Sequence, residues 1–362
     1  MIIGAGPAGS AAAIRLMQLG IHDVVLTDRS TFPRHKTCGS GISPKGIQVL
    51  KQLEVLDTIL PQSYKVSGLR LVTPGGRELS LSGGEETAAL ICSRRTLDHA
   101  LVQHAQSHGA RFIPDFAANE LLYEGSRVAG FNSLDGRSVR ARFTVVANGA
   151  HSKFVVNTGP RRMMQTIMGW WDDVPFEPQH VEMVFDKMLT PCYGWLFPES
   201  KSRVNIGICY DDPQHSKNGR ALFQHFLDKH YRTRLAGAVQ IGQWKGYPVS
   251  YSYRVGQLQS PGRLIAGEAG RMTHPATAEG IYQGMLSGMM AAETLKKAMS
   301  NPEHEQQAWS EYEERCRQAF GTSFWCAKLW RGAVRAKLLD AAVDLCRRPA
   351  ANRAFNRLMS QM

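Results

Sequence analysis

Gly4-Ala5-Gly6-Pro7-Ala8-Gly9 sets three glycines at the spacing G-x-G-x-x-G, and the chemistry open to such a run is anion binding. Gly4 permits a tight turn, Gly6 lets backbone approach a pyrophosphate, and Gly9 allows close packing of a helix on a strand. Asp28 follows 24 residues after Gly4, with Arg29 beside it. An acid at that distance can accept hydrogen bonds from ribose hydroxyls. Cys38, in Lys36-Thr37-Cys38-Gly39-Ser40-Gly41, brings a second kind of chemistry, since a thiol is a weak acid tuned by its surroundings. His35, His151 and His274 are acid–base candidates by residue type alone, and an ordinary hydrogen-bonded loop histidine describes each of them better. No His/Asp/Glu group is read as having metal-ligand spacing, and no metal is expected. The seven cysteines are odd in number and form no C-x-x-C pair, which speaks against a disulfide framework or a thiolate zinc site and for a reducing cytoplasm.

Strands and helices must hold these residues in place. Ile2-Ile3 reads as the end of a buried strand, Ser10 to Leu19 as a helix stopped by Gly20, and Val24-Val25-Leu26 as a second strand with Asp28 at its tip. The helix N-terminus would present free N–H groups to phosphates. Only Met1 to Ile3 precede Gly4, a short run-in for such a strand, and no signal peptide is expected. Leu69 to Leu81 reads as a hairpin around Pro74-Gly75-Gly76. A helix from Leu97 to His108 and strands near 111–114 and 127–132 come next. A second sheet region rich in Trp, Tyr and Phe spans Met163 to Tyr253 and includes a strand at Val204–Ile208. Leu264-Ile265-Ala266 then leads back to a glycine-rich segment.

The 362 residues carry 43 Lys+Arg against 31 Asp+Glu, a net +12, with 43% hydrophobic and 20% charged residues. That composition excludes intrinsic disorder, and no apolar run approaches the roughly 18 residues of a membrane span. From Arg315 onward ten Lys/Arg face only Asp340 and Asp344, interleaved with Phe320, Phe324, Trp325, Leu329, Trp330, Leu338 and Leu339. Such a helical tail can lie on anionic membrane, or cap the domain with packed aromatics and solvated charges; the second reading is slightly favoured. No nucleic-acid recognition module appears. The surplus charge fits a surface meeting an anionic membrane, a diphosphate headgroup or an acidic partner.

Further segments carry a resemblance. Lys36 to Pro44 resembles K-x-C-G-x-G-x-x-P, Arg94 to Asp98 resembles R-x-x-L-D, and Ala147-Asn148-Gly149-Ala150-His151-Ser152 resembles A-D-G-A-x-S. Pro191 to Pro198 resembles a condensed P-x-x-Y-x-W-x-F-P. Gly267-Glu268-Ala269-Gly270, Pro275, Glu279-Gly280-Ile281 and Ser287-Gly288 resemble G-D-A-A-G…P…G-E-G-I…S-G. Together these are similar to the geranylgeranyl reductase family of FAD-dependent oxidoreductases, glutathione-reductase-type flavoproteins related to flavin-dependent halogenases and aromatic hydroxylases. The resemblance implies an α/β fold: a Rossmann-like FAD-binding domain with an inserted mixed β-sheet substrate domain and a C-terminal helical tail. It places the FAD part at 1–60, 88–158 and 257–300, the substrate sheet at 61–87 and 159–256, and the helical region at 301–362.

The implied FAD contacts are Gly4, Gly6, Pro7, Ala8, Gly9, Asp28, Arg29, Lys36, Cys38, Gly39, Arg94, Asn148, Gly149, Gly267, Glu268, Pro275, Glu279, Gly280 and Ile281. Asn148 replaces an Asp, Glu268 another, and Ala278 a Gly. The helix after Gly280 would aim its N-terminus at the flavin pyrimidine ring. NAD(P)H is the implied electron donor. The implied reaction is hydride transfer from reduced flavin to a C=C bond of an isoprenoid or other hydrophobic substrate. Cys38 would shape the ring face or assist proton delivery, or else be an inert wall residue. Tyr193 and Trp195 would line an apolar pocket. Two alternatives stay open at this point: a monooxygenase or halogenase-like tailoring enzyme, against which the incomplete W-x-W-x-I-P element counts, and a flavoprotein passing electrons to a quinone or protein partner.

Overall fold

The computed structural model describes residues 1–82, 89–155 and 162–346. Four of the ten tail cations, Arg347, Arg348, Arg353 and Arg357, therefore lie outside the described residues. The helices are α1 (Pro7–Gln18), α2 (Pro44–Gln52), α3 (Leu56–Ile59), α4 (Arg94–Ser107), α5 (Gly219–His230), α6 (Arg232–Leu235), α7 (Ile281–Ser300), α8 (Glu305–Arg335) and α9 (Leu339–Cys346).

A six-stranded sheet runs in the order Gln259–Ser260, Arg263–Ile265, Thr144–Val146, Ile2–Ile3, Val25–Thr27, Arg111–Ile113, parallel except at its first pair. Its strands are short, and three adjacent ones, Arg263–Ile265, Thr144–Val146 and Ile2–Ile3, are buried throughout, as a sheet covered on both faces requires. The helix after the glycine loop begins at Pro7, three residues before the Ser10 expected from sequence. Proline at the first helical turn loses no hydrogen bond there, and its fixed φ suits the helix. Gly20, at φ +76°, ends the chain's first crossover as anticipated.

A seven-stranded sheet runs Val239–Tyr251, Arg162–Asp172, Arg203–Asp211, Gly194–Pro198, His180–Val184, Gly68–Val72, Glu78–Ser82. The hairpin read around Pro74 is its far edge, joined to His180–Val184 by a parallel pairing. Two three-stranded sheets complete the fold: Ser138–Arg140, Arg127–Ser133, Ala118–Glu124, and Gly41–Ile42, Ala89–Ile91, Tyr64–Val66. The strand at 127–133 thus pairs outside the six-stranded sheet, although Val128 and Phe131 pack against Ile3, Val146 and Ile265 of that sheet.

Trp309, Tyr312, Cys316, Phe320, Phe324, Ala327, Arg331 and Val334 form one buried stripe along α8. The described part of the tail thus packs its aromatics as a cap, as the slightly favoured reading has it, although most of its charges are ion-paired and not merely solvated. Four of its six described cations are ion-paired. Arg315 pairs with Glu293 at 2.5 Å, Arg317 with Glu313 and Glu314, and both Arg331 and Arg335 with Asp211. Trp325, Leu329 and Leu338 nevertheless remain more than half exposed.

Candidate active site

The glycine loop is built by contacts that leave no room for side chains. Gly4 has φ +94°, and a β-carbon on it would sit 2.5 Å from the Ala147 carbonyl oxygen. One on Gly9 would lie 1.8 Å from the Gly4 carbonyl oxygen. Asp28, at the end of its strand, accepts the Ala5 N–H at 2.8 Å and the Ser30 N–H at 3.0 Å, so the acid and the loop are locked together. Beside Gly6 a β-carbon would be 3.8 Å from the guanidinium groups of both Arg34 and Arg94. Arg94 holds Asp98 in a two-point contact of 2.7 and 2.8 Å, and Arg34 reaches the same carboxylate at 3.1 Å. Burial opposes the Arg94 charge, yet Asp98 holds its pKa above the ordinary arginine value. Arg34 also lies 3.9 Å from Asp28, so two guanidiniums meet two carboxylates beside the loop, and the N-terminus of α1 adds free N–H groups and the positive end of its dipole. Pyrophosphate fits that arrangement. Arg29 is exposed, and its charge acts with Arg94 and Arg34 on the Tyr247 hydroxyl.

A second group lies where the 144–151 and 266–270 segments meet the sequence around Lys36. The Lys36 ammonium is 4.3 Å from the Tyr247 ring centre and 3.9 Å from Glu268. Burial lowers its pKa, and the neighbouring Arg94 lowers it further. Glu268 accepts the Ser250 N–H at 3.0 Å, and a β-carbon on Gly149 would lie 3.9 Å from its other oxygen. Gly267, at φ +63°, packs so closely on Ala8 that a β-carbon would be 2.8 Å from the Ala8 methyl. Cys38 is half-buried, its sulfur accepting the Ser40 N–H at 3.3 Å. A β-carbon on Gly39 would touch Phe197 at 3.3 Å and the Trp195 ring nitrogen at 3.4 Å.

The loop entering α7 supplies the third group. Pro275 gives its carbonyl to Arg331 at 3.0 Å. His274 is fully buried; its Nδ1 accepts the Thr277 N–H at 3.1 Å, which puts the ring proton on Nε2. Burial pushes its pKa down to about 4, so the ring is neutral at ordinary pH. Burial raises the pKa of Glu279, which accepts from Gln283 at 3.5 Å. Gly280 caps α7 without a side-chain acceptor, so the N–H groups from Ile281 onward face forward unpaired by any side chain. Ala278, standing where the motif has Gly, holds φ +57°.

Tyr193 and Trp195 are buried in the seven-stranded sheet. The Tyr193 hydroxyl donates to the Thr277 carbonyl, and the Trp195 N–H to Asn205 at 2.7 Å. With Phe197 they form an aromatic row at centre spacings of 6.2 and 6.1 Å, facing Gly39. Three buried polar atoms around these groups have no hydrogen-bond partner among the described residues: Asn148 Oδ1, Thr273 Oγ1 and Gln283 Oε1. Buried polar atoms are rarely left unpaired, so a polar ligand that reaches them is a fitting complement. The pyrophosphate, ribityl and ring edges of FAD carry donors and acceptors suited to all three groups.

Residues 1–322 match the family described as FAD binding domain. The chain belongs to that family. This flavoprotein is 30% identical to the menaquinone reductase of Mycobacterium tuberculosis, over 82% of the chain and 76% of the relative. It is 26% identical to the digeranylgeranylglycerophospholipid reductase of Picrophilus torridus, covering 95% and 90%. The crystal structure of a geranylgeranyl bacteriochlorophyll reductase-like protein from Thermoplasma acidophilum superposes with a TM-score of 0.86 at 22% identity, covering 95% and 89%. The flavoprotein is an FAD-dependent oxidoreductase with the α/β fold of those proteins.

Sequence reasoning singles out none of Arg34, Asp211 and Arg331, and it names Asp98 only as the last residue of the R-x-x-L-D motif. Arg331 is fully buried, donating to Asp211 at 2.6 and 2.8 Å as well as to Pro275. It had been counted as one surface cation of the tail. A long charged residue within a stripe of i, i+3, i+4 apolar positions is the signal that could have singled it out.

Proposed function

We propose that this flavoprotein saturates C=C bonds in the isoprenoid chain of a lipid, with NAD(P)H as the electron donor. One observation carries the reading: Trp195 and Phe197 of the row Tyr193–Trp195–Phe197 lie against Gly39, next to Cys38, which would give an unreactive polyprenyl chain an apolar aromatic wall next to the cofactor groups. The relatives named for menaquinone and digeranylgeranylglycerophospholipid support it, since both compounds carry polyprenyl chains. Bound FAD would supply the hydride that alkene reduction requires. The chain's own residues would bind the pyrophosphate at Gly4–Gly9, Arg34 and Arg94 and the ribose at Asp28, and orient the ring at the N-terminus of α7. Tyr193 and Trp195 have their polar atoms paired, so their role is to wall the pocket and exclude water. Cys38 is then the group placed to deliver a proton to the second alkene carbon. In this reading 1–60, 88–158 and 257–300 form the FAD part, and 61–87 and 159–256 the substrate part; the two larger sheets support the division, while Tyr64–Val66 pairs across it with Ala89–Ile91.

Among the described residues no helix is long and apolar enough to cross a membrane. We propose instead that the exposed Trp325, Leu329 and Leu338, beside Lys328 and Lys337, rest on a lipid surface where substrate enters. Vesicle flotation of wild type against W325S/L329S tests this part. The reaction is tested anaerobically. Protein reduced with NADPH or NADH regains its oxidised absorbance on adding a geranylgeranyl lipid, and not on adding the saturated analogue. Reoxidation by oxygen alone, with an oxygenated product, would overturn the reading in favour of monooxygenase chemistry.

A further inference from the structure

α4 begins in the cofactor cradle at Arg94, and its other end carries His104 and, at the capping position, His108. Residues four apart share a helix face, and the two rings are 4.3 Å apart centre to centre. Glu54 arrives from a different segment, the turn after α2. It takes φ +59° there, with its N–H on the Lys51 carbonyl at 3.1 Å, and it is flanked by the fully buried Leu53 and Val55. That anchoring leaves the carboxylate exposed beside the two imidazoles. One ligand atom from each of the three residues lies within 4.8 Å of the others.

The hydrogen bonds leave suitable atoms available. His108 Nδ1 donates to the His104 carbonyl at 2.8 Å, which fixes the tautomer with a lone pair on Nε2. His104 Nε2 is buried and has no hydrogen-bond partner among the described residues.

We propose that Glu54, His104 and His108 form a binding site for a divalent transition-metal ion of the zinc type. Two imidazoles exclude calcium and magnesium, which prefer all-oxygen shells, whereas a His2Glu set with water in the fourth position suits zinc. Tetrahedral bonds of about 2.1 Å bring ligand atoms to about 3.4 Å from one another, so the side chains must close slightly. The exposed Glu54 has the freedom to do so. The site sits at the far end of α4, roughly 20 Å along the helix from Arg94 at about 1.5 Å per residue. It therefore takes no part in the redox chemistry. The ion would clip the turn between α2 and α3 to the C-terminal end of α4, joining segments about 50 residues apart in the chain.

The test uses tag-free, FAD-loaded protein titrated with zinc chloride in a calorimeter, with thermal unfolding recorded by flavin release. The expected result is one zinc per chain and a raised unfolding temperature. H104Q/H108Q should weaken binding by at least about tenfold and abolish the thermal shift while retaining FAD. H108Q, an exposed single change, serves if the double variant does not fold, and should lose the same shift. Equal zinc affinity in wild type and either variant would overturn the proposal by locating binding elsewhere, as at the free cysteines. Absence of binding to wild type up to millimolar zinc would overturn it too.

Discussion

Gly284 and Gly288 lie one turn apart on the same face of α7, where it crosses α1, and alanine should have opposite effects at the two. A β-carbon on Gly284 would find its nearest neighbours at 3.6 Å, ordinary contact with Ala8. On Gly288 it would sit 2.1 Å from the Ala8 carbonyl oxygen, 3.0 Å from the carbonyl carbon and 3.2 Å from the Ala12 nitrogen. All three are backbone atoms, so no rotamer change relieves the overlap. The helices must part by about 1 Å, and overpacking of that kind costs about 1–3 kcal/mol. Replacing a mid-helix glycine by alanine returns up to about 1 kcal/mol in helix propensity, which leaves G288A a net loss and G284A a small gain. α1 starts at the pyrophosphate seat and α7 at the ring seat, so a shift between them opens the cofactor site itself. G288A should weaken FAD binding by about ten- to hundredfold, taking about 1.4 kcal/mol per factor of ten, and lower the unfolding temperature. G284A should match or exceed wild type in both. Flavin fluorescence titration and thermal unfolding read the two effects. FAD affinity in G288A equal to wild type would refute the close-crossing argument.

Ala278→Gly relieves a non-glycine residue held at φ +57°, and should raise stability by about 1 kcal/mol in chemical unfolding, net of the added freedom of the unfolded chain. Arg331→Met leaves Asp211 with Arg335 alone and the Pro275 carbonyl without its donor, so it should cost about 3 kcal/mol and release FAD more readily. His274 has a folded pKa near 4, below its unfolded 6.5, so the unfolded chain binds the extra proton between those values. Its contribution is complete above about pH 6.5 and is lost as pH falls toward 4; denaturation curves across that window should show a slope that H274Q flattens. Cys38→Ala should slow lipid-dependent turnover while leaving FAD content unchanged, and an unaltered rate would reduce Cys38 to a wall residue.

The local parts of this molecule could be read from sequence, because each is settled by neighbours within a few residues. The glycine loop, α1, Asp28 at a strand tip and the start of α7 belong to that class. So does the hairpin around Pro74, although its parallel partner 180–184 was not legible, since nothing near Gly68 specifies a strand more than a hundred residues away. The tail shows the same limit in charge. Arg315, Arg331 and Arg335 look alike in sequence, and only packing reveals that Glu293 and Asp211 pair with them. Arg34 is not legible, and Asp98 is legible only as a motif residue, because their importance lies in the shared contact with Arg94 beside Gly6. At Glu54, His104 and His108 half the signal was present as a pair of histidines four apart, and the carboxylate came from a distant turn.

The central claim is that this flavoprotein adds hydrogen across an isoprenoid double bond. Mass spectrometry of a geranylgeranyl lipid incubated anaerobically with the FAD-loaded enzyme and a reductant tests it most directly. The account predicts a product that has gained a pair of hydrogens for each bond reduced, formed without oxygen. A lipid recovered unchanged under those conditions, or one carrying an added oxygen or halogen when air is admitted, would contradict it.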